Sequence, residues 1–489
     1  MFISLHDDAN VVSLNYVQTL VLLFLPCETF ADTESSARRA YVSIAFNRNI
    51  CAVDAALYVD GSSERASDSM MLAGGDVMLD AKNLVGRTFI KAAEKLFGFV
   101  SPWGILTGIR PAKLAASYLD TLTPFETEQK LMHDYLLTAE KAKMCVRVAA
   151  YEKKLVKQMP PRSCSLYVSI PFCPSRCRYC SFVSSTTPRL LSLIPDYLVK
   201  LKTDLKAISE TVRDLDLKLE TVYFGGGTPA VLNEPQMDDL LTCMTTLFDV
   251  GNLSEYTFEA GRPDCITAEK LRIIAKSGVS RISINTQTAN DEVLRAVGRK
   301  HTFAEYLNCM DMARAAGNMA INTDLIAGLP GETEESFYDS VRKVMAANPE
   351  NITVHSFTLK RSSEFKTGKL AEVSSASVAA SNMVSFAAQT LMGSDYAPYY
   401  LYRQKNTVGN LDNTGYAKAG YEGLYNIYMM GEYHSVFAAG AGAVTKLVSA
   451  DRSRIERVFL PKYPYEYLDE SLHYGFDRGA VETFYRESY

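Results

Sequence analysis

The sequence predicts an α/β protein: a partial (β/α)6 barrel preceded by an α+β module and followed by a C-terminal α/β cover domain. Three observations predict it. Between Leu166 and Leu359, short β-rich runs alternate with helical stretches, which implies βα units on a parallel sheet. The texture changes at Gln158-Met159-Pro160-Pro161-Arg162-Ser163, where two prolines stop a helix, and again in the last 100 residues, which are rich in Tyr and Gly. The chain of 489 residues is long enough for about two to four domains. The expected boundaries are 1–157 for the N-terminal module, 164–390 for the barrel and 391–489 for the cover.

Near the start, Val17 to Leu25 is apolar but short, and Asp7 and Asp8 precede it. A signal peptide wants positive charge there and a membrane span wants about 20 apolar residues, so the expectation is a buried strand and no targeting or membrane segment. Ala40–Phe46 and Ile50–Tyr58 read as strands meeting at Asn47-Arg48-Asn49. Leu84–Phe97 has helical spacing, with Leu84, Phe89, Ala92, Ala93 and Leu96 toward one face, and Pro124–Val156 carries more helix. The barrel strands are expected at Leu166–Pro171, Thr221–Phe224, Tyr256–Glu259, Val279–Asn285, Ala320–Ile326 and Ile352–Phe357. Beyond them stand the tyrosine-dense Tyr399–Asn406 and the small-residue stretch Ala438–Val444. The chain carries no fixed-period repeat and no low-complexity tract.

Composition excludes some classes. With 47% hydrophobic and 22% charged residues the chain is not wholly disordered. Its 51 basic and 56 acidic residues, net −5, argue against a general nucleic-acid coat. Ten cysteines in so long a chain are no disulfide scaffold and point to reduced, cytoplasmic thiols. Seven are scattered: Cys27, Cys51, Cys145, Cys164, Cys243, Cys265 and Cys309. Three crowd together as Cys173-Pro-Ser-Arg-Cys177-Arg-Tyr-Cys180, on the loop after the first barrel strand.

Three thiolates this close can grip one metal centre. Zinc wants a closed tetrahedral set, and no fourth Cys or His lies nearby in sequence. A [4Fe–4S] cluster on three thiolates keeps one iron open, where a small chelating cofactor can bind. Two more motifs fall at the C-terminal ends of strands, where barrel sites lie. Gly225-Gly226-Gly227-Thr228-Pro229 ends the second strand and lets backbone approach a ligand, and Glu259 ends the third, where a carboxylate can accept both hydroxyls of a ribose.

The C-x3-C-x2-C spacing with Tyr179 before the last Cys resembles the radical S-adenosylmethionine (SAM) superfamily. Tyr167–Cys173, Tyr223–Pro229, Arg281–Gln287 and Asp324–Pro330 resemble the oxygen-independent coproporphyrinogen III oxidase family. Trp103–Pro111 and Tyr399–Asn406, followed by Gly409-Asn410-Leu411, resemble its HemZ-type branch. The resemblance spans nearly the whole chain.

It implies a radical SAM barrel in which Cys173, Cys177 and Cys180 hold the cluster and Tyr167, Gly226 and Glu259 contact SAM. Tyr179, Gly227, Thr228, Gln287, Arg299 and Asp324 match positions that hold a second SAM in the oxidase. It further implies a cytoplasmic oxidoreductase that takes electrons from a reductant such as flavodoxin or ferredoxin. A β-hydrogen, one electron and CO₂ leave each of two propionates of coproporphyrinogen III, giving the vinyl groups of protoporphyrinogen IX. No residue beyond the cluster and SAM positions is assigned to catalysis. Arg403 and Lys405, set among tyrosines, are candidates for the substrate carboxylates. His355 and His434 could ligate a haem iron, though a structural role is expected for both. The chain departs from the oxidase at Ser181 and Phe182 after the triplet, at Ser169 in place of a His, and at Asn285 and Thr286. These departures keep two alternatives in view: a haem-binding chaperone, and a different radical reaction on a tetrapyrrole such as methylation or ring opening.

Overall fold

The computed structural model describes residues 1–34, 36–72, 76–180, 184–358, 370–472 and 474–489. Its first sheet has four strands in sequence order: β1 (Phe2–Asp7), β2 (Arg39–Asn47), β3 (Ile50–Val59) and β4 (Ser62–Met71). β2 and β3 form the expected hairpin, with Asn47 opposite Ile50 and Arg48 left-handed in the turn (φ 53°). β4 escapes a reading by hydrophobic runs, because most of its residues are polar and all are exposed or half-buried. The helix Val77–Phe97 covers this sheet, burying Leu84, Phe89, Ala92 and Ala93 as its spacing predicts, while Leu96 of the same expected face is half-buried.

The apolar run near the start is a helix, Leu14–Phe24, and not the expected strand. Ser13 caps it by accepting from the Tyr16 N–H, and Val17, Leu20, Val21 and Phe24 recur at i, i+3, i+4 and i+7 on the buried side. Burial against the Val77–Phe97 helix and the start of the sheet overrides the strand preference of its two valines.

The second sheet has eleven strands and carries the six predicted barrel strands side by side. They are β5 (Ser163–Ile170), β6 (Lys218–Gly226), β7 (Glu255–Glu259), β8 (Arg281–Ser283), β9 (Ala320–Ala327) and β10 (Asn351–Ser356), all parallel. Long amphipathic helices return the chain between them, among them Ile194–Asp214 and Glu234–Leu247. β8 is shorter than expected because the chain turns away after Ser283. Gln287 adopts φ 73°, donates its N–H to the Asp324 carbonyl and accepts from Ile326 N–H.

The segment from 391 onward extends this sheet at both edges. β11 (Tyr396–Arg403) and β12 (Asp412–Lys418) add antiparallel beyond β10, while β13 (Ser435–Ala439) adds parallel beyond β5. β14 (Val444–Val448) and β15 (Ile455–Phe459) continue the β13 edge as an antiparallel ribbon.

The N-terminal module is bolted to the β11–β12 edge. Trp103, fully buried, donates its indole N–H to Asp412 at 2.9 Å, and Lys141 pairs with the same carboxylate at 2.8 Å. Arg403 lies over the Trp103 ring and donates to the Leu106 carbonyl and to Asn410. One hydrophobic core runs from the helix Leu14–Phe24 through the module to β9, β10 and Tyr416, and a second fills the β5–β9 side. No helix among the described residues is long and apolar enough to cross a membrane.

Candidate functional site

At the C-terminal ends of the parallel strands lies a cavity of about 810 Å³. Cys173, Cys177 and Cys180 line it together with Tyr167, Tyr179, Gly226, Gly227, Thr228, Glu259, Gln287, Arg299 and Asp324. Every residue named from the sequence for the cluster and for SAM thus faces one space.

The cysteine loop is held by backbone. Cys173 N–H donates to the Ser185 carbonyl at 3.1 Å, Cys180 N–H to Cys177 at 3.1 Å, and Arg178 N–H to Val297 at 3.0 Å. Cys173 and Cys177 are buried and Cys180 is half-buried. Thr228 sets its hydroxyl 3.4 Å from the Cys173 sulfur. Burial pushes the Cys173 thiol up, and the Thr228 contact pulls it back.

Arg262, which the sequence reading missed, donates to the Cys177 sulfur at 3.6 Å and to the Ser175 carbonyl at 3.1 Å. Asp264 fixes its guanidinium with two hydrogen bonds of 3.0 and 2.8 Å. A buried cation beside a thiol offsets the charge that the thiolate needs for metal binding. Its signal in the sequence is an Arg two residues before an Asp, three residues past the end of β7.

The glycine run meets this loop backbone to backbone. Gly227 N–H donates to the Ile170 carbonyl at 2.9 Å and Thr228 N–H to Phe172 at 2.8 Å. A Cβ on Gly227 would stand 2.5 Å from the Phe172 oxygen, and Gly226 needs φ +108°. The edge of β6 therefore lies against the cysteine loop with no side chain between.

Three tyrosines stack beside the glycines: Tyr223 on Tyr425 at 4.5 Å and Tyr167 on Tyr223 at 6.2 Å between ring centroids. The Tyr223 hydroxyl donates to Glu259 at 2.5 Å. Burial pushes Glu259 up to about 7; the Tyr223 hydrogen bond opposes this and the nearby Asp324 adds to it.

Across the cavity Asp324 accepts from Asn285 at 2.8 Å and from Asn322 at 2.9 Å, and lies 3.6 Å from His355 Nε2. Burial works against the charge on both partners, yet their pairing holds Asp324 below and His355 above its ordinary value. His355 is therefore a wall of the site, not the structural histidine expected from the sequence. His434 is that structural residue: it is buried, and its ring nitrogens lie 2.9 Å from the Ser163 hydroxyl and 2.7 Å from that of Ser165. Arg299 donates to the Tyr179 hydroxyl at 2.9 Å and to the Gly261 carbonyl at 3.0 Å.

Two sequence candidates fall elsewhere. Arg403 is buried and already spent on the Leu106 carbonyl, Asn410 and the Trp103 ring, and Lys405 is exposed beside it; neither lines the cavity. Among the departures, Ser169 is buried with its hydroxyl on the Ala441 carbonyl at 2.8 Å, and Thr286 donates to the Thr288 carbonyl. Asn285 instead faces the cavity and clamps Asp324 through both ends of its amide. Ser181 and Phe182 lie outside the described residues.

Among the described residues no three His, Cys, Asp or Glu side chains converge as they would on a single ion. Cys173, Cys177 and Cys180 come from one loop and line the same cavity, as three thiolates that each take a different iron of one cluster must. The glycine edge without a Cβ and the deep carboxylate of Glu259 suit the amino acid and ribose ends of SAM. The residues fit both groups.

The radical SAM superfamily model matches residues 167–344. The chain is 36% identical over 397 residues to the oxygen-independent coproporphyrinogen-III oxidase-like protein HemZ of Bacillus subtilis (strain 168), covering 80% of this chain and 79% of that protein. It is 30% identical over 319 residues to the heme chaperone HemW of Haemophilus influenzae, covering 64% and 76%. Among solved structures, coproporphyrinogen III oxidase (HemN) from Escherichia coli aligns with a TM-score of 0.48 at 20% identity, covering 66% of this chain and 72% of that one. The superfamily uses a [4Fe–4S] cluster and SAM, and the match to the oxidase-like HemZ makes this chain an oxidoreductase of that kind. With a match of this identity over most of both chains, the protein belongs to the radical SAM superfamily and, within it, to the HemZ-type family of oxygen-independent coproporphyrinogen III oxidase-like proteins.

Proposed function

We propose that this chain catalyses the oxygen-independent oxidative decarboxylation of coproporphyrinogen III to protoporphyrinogen IX. Each of two propionates loses a β-hydrogen atom, one electron and CO₂ and becomes a vinyl group. The observation that carries this reading is the single cavity in which the thiols, the glycine edge, Glu259 and the Gln287–Arg299–Asp324 set all meet.

When bound, the cluster and SAM supply the one-electron, hydrogen-abstracting chemistry. The chain's own residues do the rest. Cys173, Cys177 and Cys180 hold the cluster, and Arg262 offsets thiolate charge. Gly226 offers its backbone to the amino group of SAM, Tyr167 packs beside it, and Glu259 accepts the ribose hydroxyls. Tyr179, Gly227, Thr228, Gln287, Arg299 and Asp324 line the rest of the same cavity, open to a second SAM or to substrate. His355 keeps its Nε2 proton toward Asp324. The reading calls for a one-electron donor such as flavodoxin or ferredoxin and for a reducing cytoplasm.

Anaerobic reconstitution tests it. With SAM, reductant and coproporphyrinogen III, 5′-deoxyadenosine, CO₂ and a vinyl product are expected. Tight haem binding without turnover would replace this reading with haem carriage, the role for which the relative HemW is named. SAM cleavage without decarboxylation would replace it with another radical reaction, methylation or ring opening.

Glu259 gives a pH test. Its folded value of about 7 lies above the ordinary value of about 4.3, so between these the native state holds a proton that the unfolded chain has released. Stability of the SAM-free protein is therefore expected to fall as pH rises through that window. SAM affinity moves the other way, because only the carboxylate accepts from both hydroxyls. Calorimetric SAM titration from pH 5.5 to 8.5 is expected to show affinity rising through about 7, with Glu259→Gln weak and flat.

A further inference from the structure

The ribbon β13–β14–β15 turns one face into the cavity, presenting Val436, Val444, Lys446, Arg457 and Phe459. The register sets Val444 opposite Phe459 and Lys446 opposite Arg457. Like charges directly opposite on one sheet face repel, so the pair needs an anion to hold it together.

A single carboxylate, Glu432, meets both cations. Arg457 lies 2.9 Å from it and Lys446 3.5 Å, while Lys446 also donates to the Met429 carbonyl at 3.1 Å. Arg110, from the Trp103–Pro111 motif, pairs with the same carboxylate. Three cations on one anion leave an excess of two positive charges. Glu432 is 5% exposed and sits in the left-handed region (φ 54°) at the end of the helix Leu424–Gly431, a conformation a non-glycine residue holds only when its surroundings fix it. Arg457 is 45% exposed and Phe459 69%, which puts this edge of the cavity at its outer rim.

Resting on the tetrapyrrole reading above, we propose that Lys446 and Arg457 bind a propionate carboxylate of the substrate at the cavity rim, with Phe459 against the apolar macrocycle. Glu432, itself held by Arg110, keeps the pair in place. This assigns to β14 and β15 the anchoring that the sequence suggested for Arg403 and Lys405.

The test is fluorescence titration of the anaerobically reconstituted holoenzyme with coproporphyrin III, which carries four carboxylates, and with its tetramethyl ester, which carries none. Cluster absorbance and melting temperature serve as folding controls. Lys446→Gln with Arg457→Gln is expected to weaken coproporphyrin binding by about 10- to 100-fold, the range for lost charge-assisted hydrogen bonds. Arg457→Lys should recover most of the loss caused by Arg457→Gln, and affinity for the ester should be the same in all variants. Unchanged coproporphyrin affinity in the double variant, or an equal loss for the ester, would overturn the assignment while turnover by the unaltered protein left the decarboxylase reading standing. Charge-dependent coproporphyrin binding without vinyl product would support the assignment and remove the decarboxylase reading.

Discussion

Cys177→Ala is expected to abolish SAM cleavage, reducing 5′-deoxyadenosine to the background of cluster-free protein. A site-differentiated cluster on three thiolates has no spare ligand, so removing one leaves an iron without a protein bond. Replacement by Thr228 is excluded by chemistry, since a neutral hydroxyl is a poor ligand for iron in a sulfide cluster. The loss extends beyond the ligand itself. Arg262 is 3% exposed and donates to the Cys177 sulfur, so the alanine variant leaves one face of that buried guanidinium without its acceptor. Iron and sulfide content per chain, with cluster absorbance after reconstitution, measures the first effect, and the product assay the second. Cys243→Ala is the control: that thiol sits half-buried on the helix Glu234–Leu247, outside the cavity lining, and its loss should leave both readouts unchanged. A Cys177→Ala protein that binds a full cluster and cleaves SAM would refute the site.

The cysteine loop and the barrel were legible in the sequence because both are local. Each parallel strand is a short apolar run bounded by polar turns, and the thiols share one loop, so neither needs knowledge of distant contacts. The errors come where distant contacts decide. The run from Val17 to Leu25 is apolar enough for either structure, and it is helical because a cap at Ser13 and a partner helix at Val77–Phe97 are available. Arg403 in its tyrosine cluster matches a ligand-stacking pattern, yet its neighbours in space are the carbonyl of Leu106 and the ring of Trp103, about 300 residues earlier. Lys446 and Arg457 carry no local signal at all. They reach the cavity only because β13 pairs with β5, bringing a C-terminal ribbon beside a strand that lies far back in the sequence. The place of His355 in the site is hidden in the sequence for the same reason, since its partner Asp324 stands on the neighbouring strand.

Gly227→Ala should show how closely cluster assembly depends on the edge of β6. The added Cβ would lie 2.5 Å from the Phe172 oxygen and 2.9 Å from its carbon and nitrogen, all backbone atoms that a rotamer change cannot move. Phe172 immediately precedes Cys173, and its carbonyl accepts from Thr228 N–H, whose side chain in turn touches the Cys173 sulfur. Relief therefore requires the cysteine loop to move off the sheet and break that hydrogen bond. Overpacking of this kind costs about 1–3 kcal/mol, enough to displace a loop held mainly by a few backbone hydrogen bonds. The expected result is a folded protein with a small drop in melting temperature but a large loss of cluster occupancy and SAM cleavage. Gly225→Ala separates close approach from glycine flexibility. Its Cβ would meet the side-chain atoms of Tyr223 and Tyr167 at 3.1–3.2 Å, which can shift by a few tenths of an ångström, so cluster occupancy should be retained. Equal cluster loss in the two variants would show that the tyrosine stack, and not the backbone contact at Phe172, sets the loop.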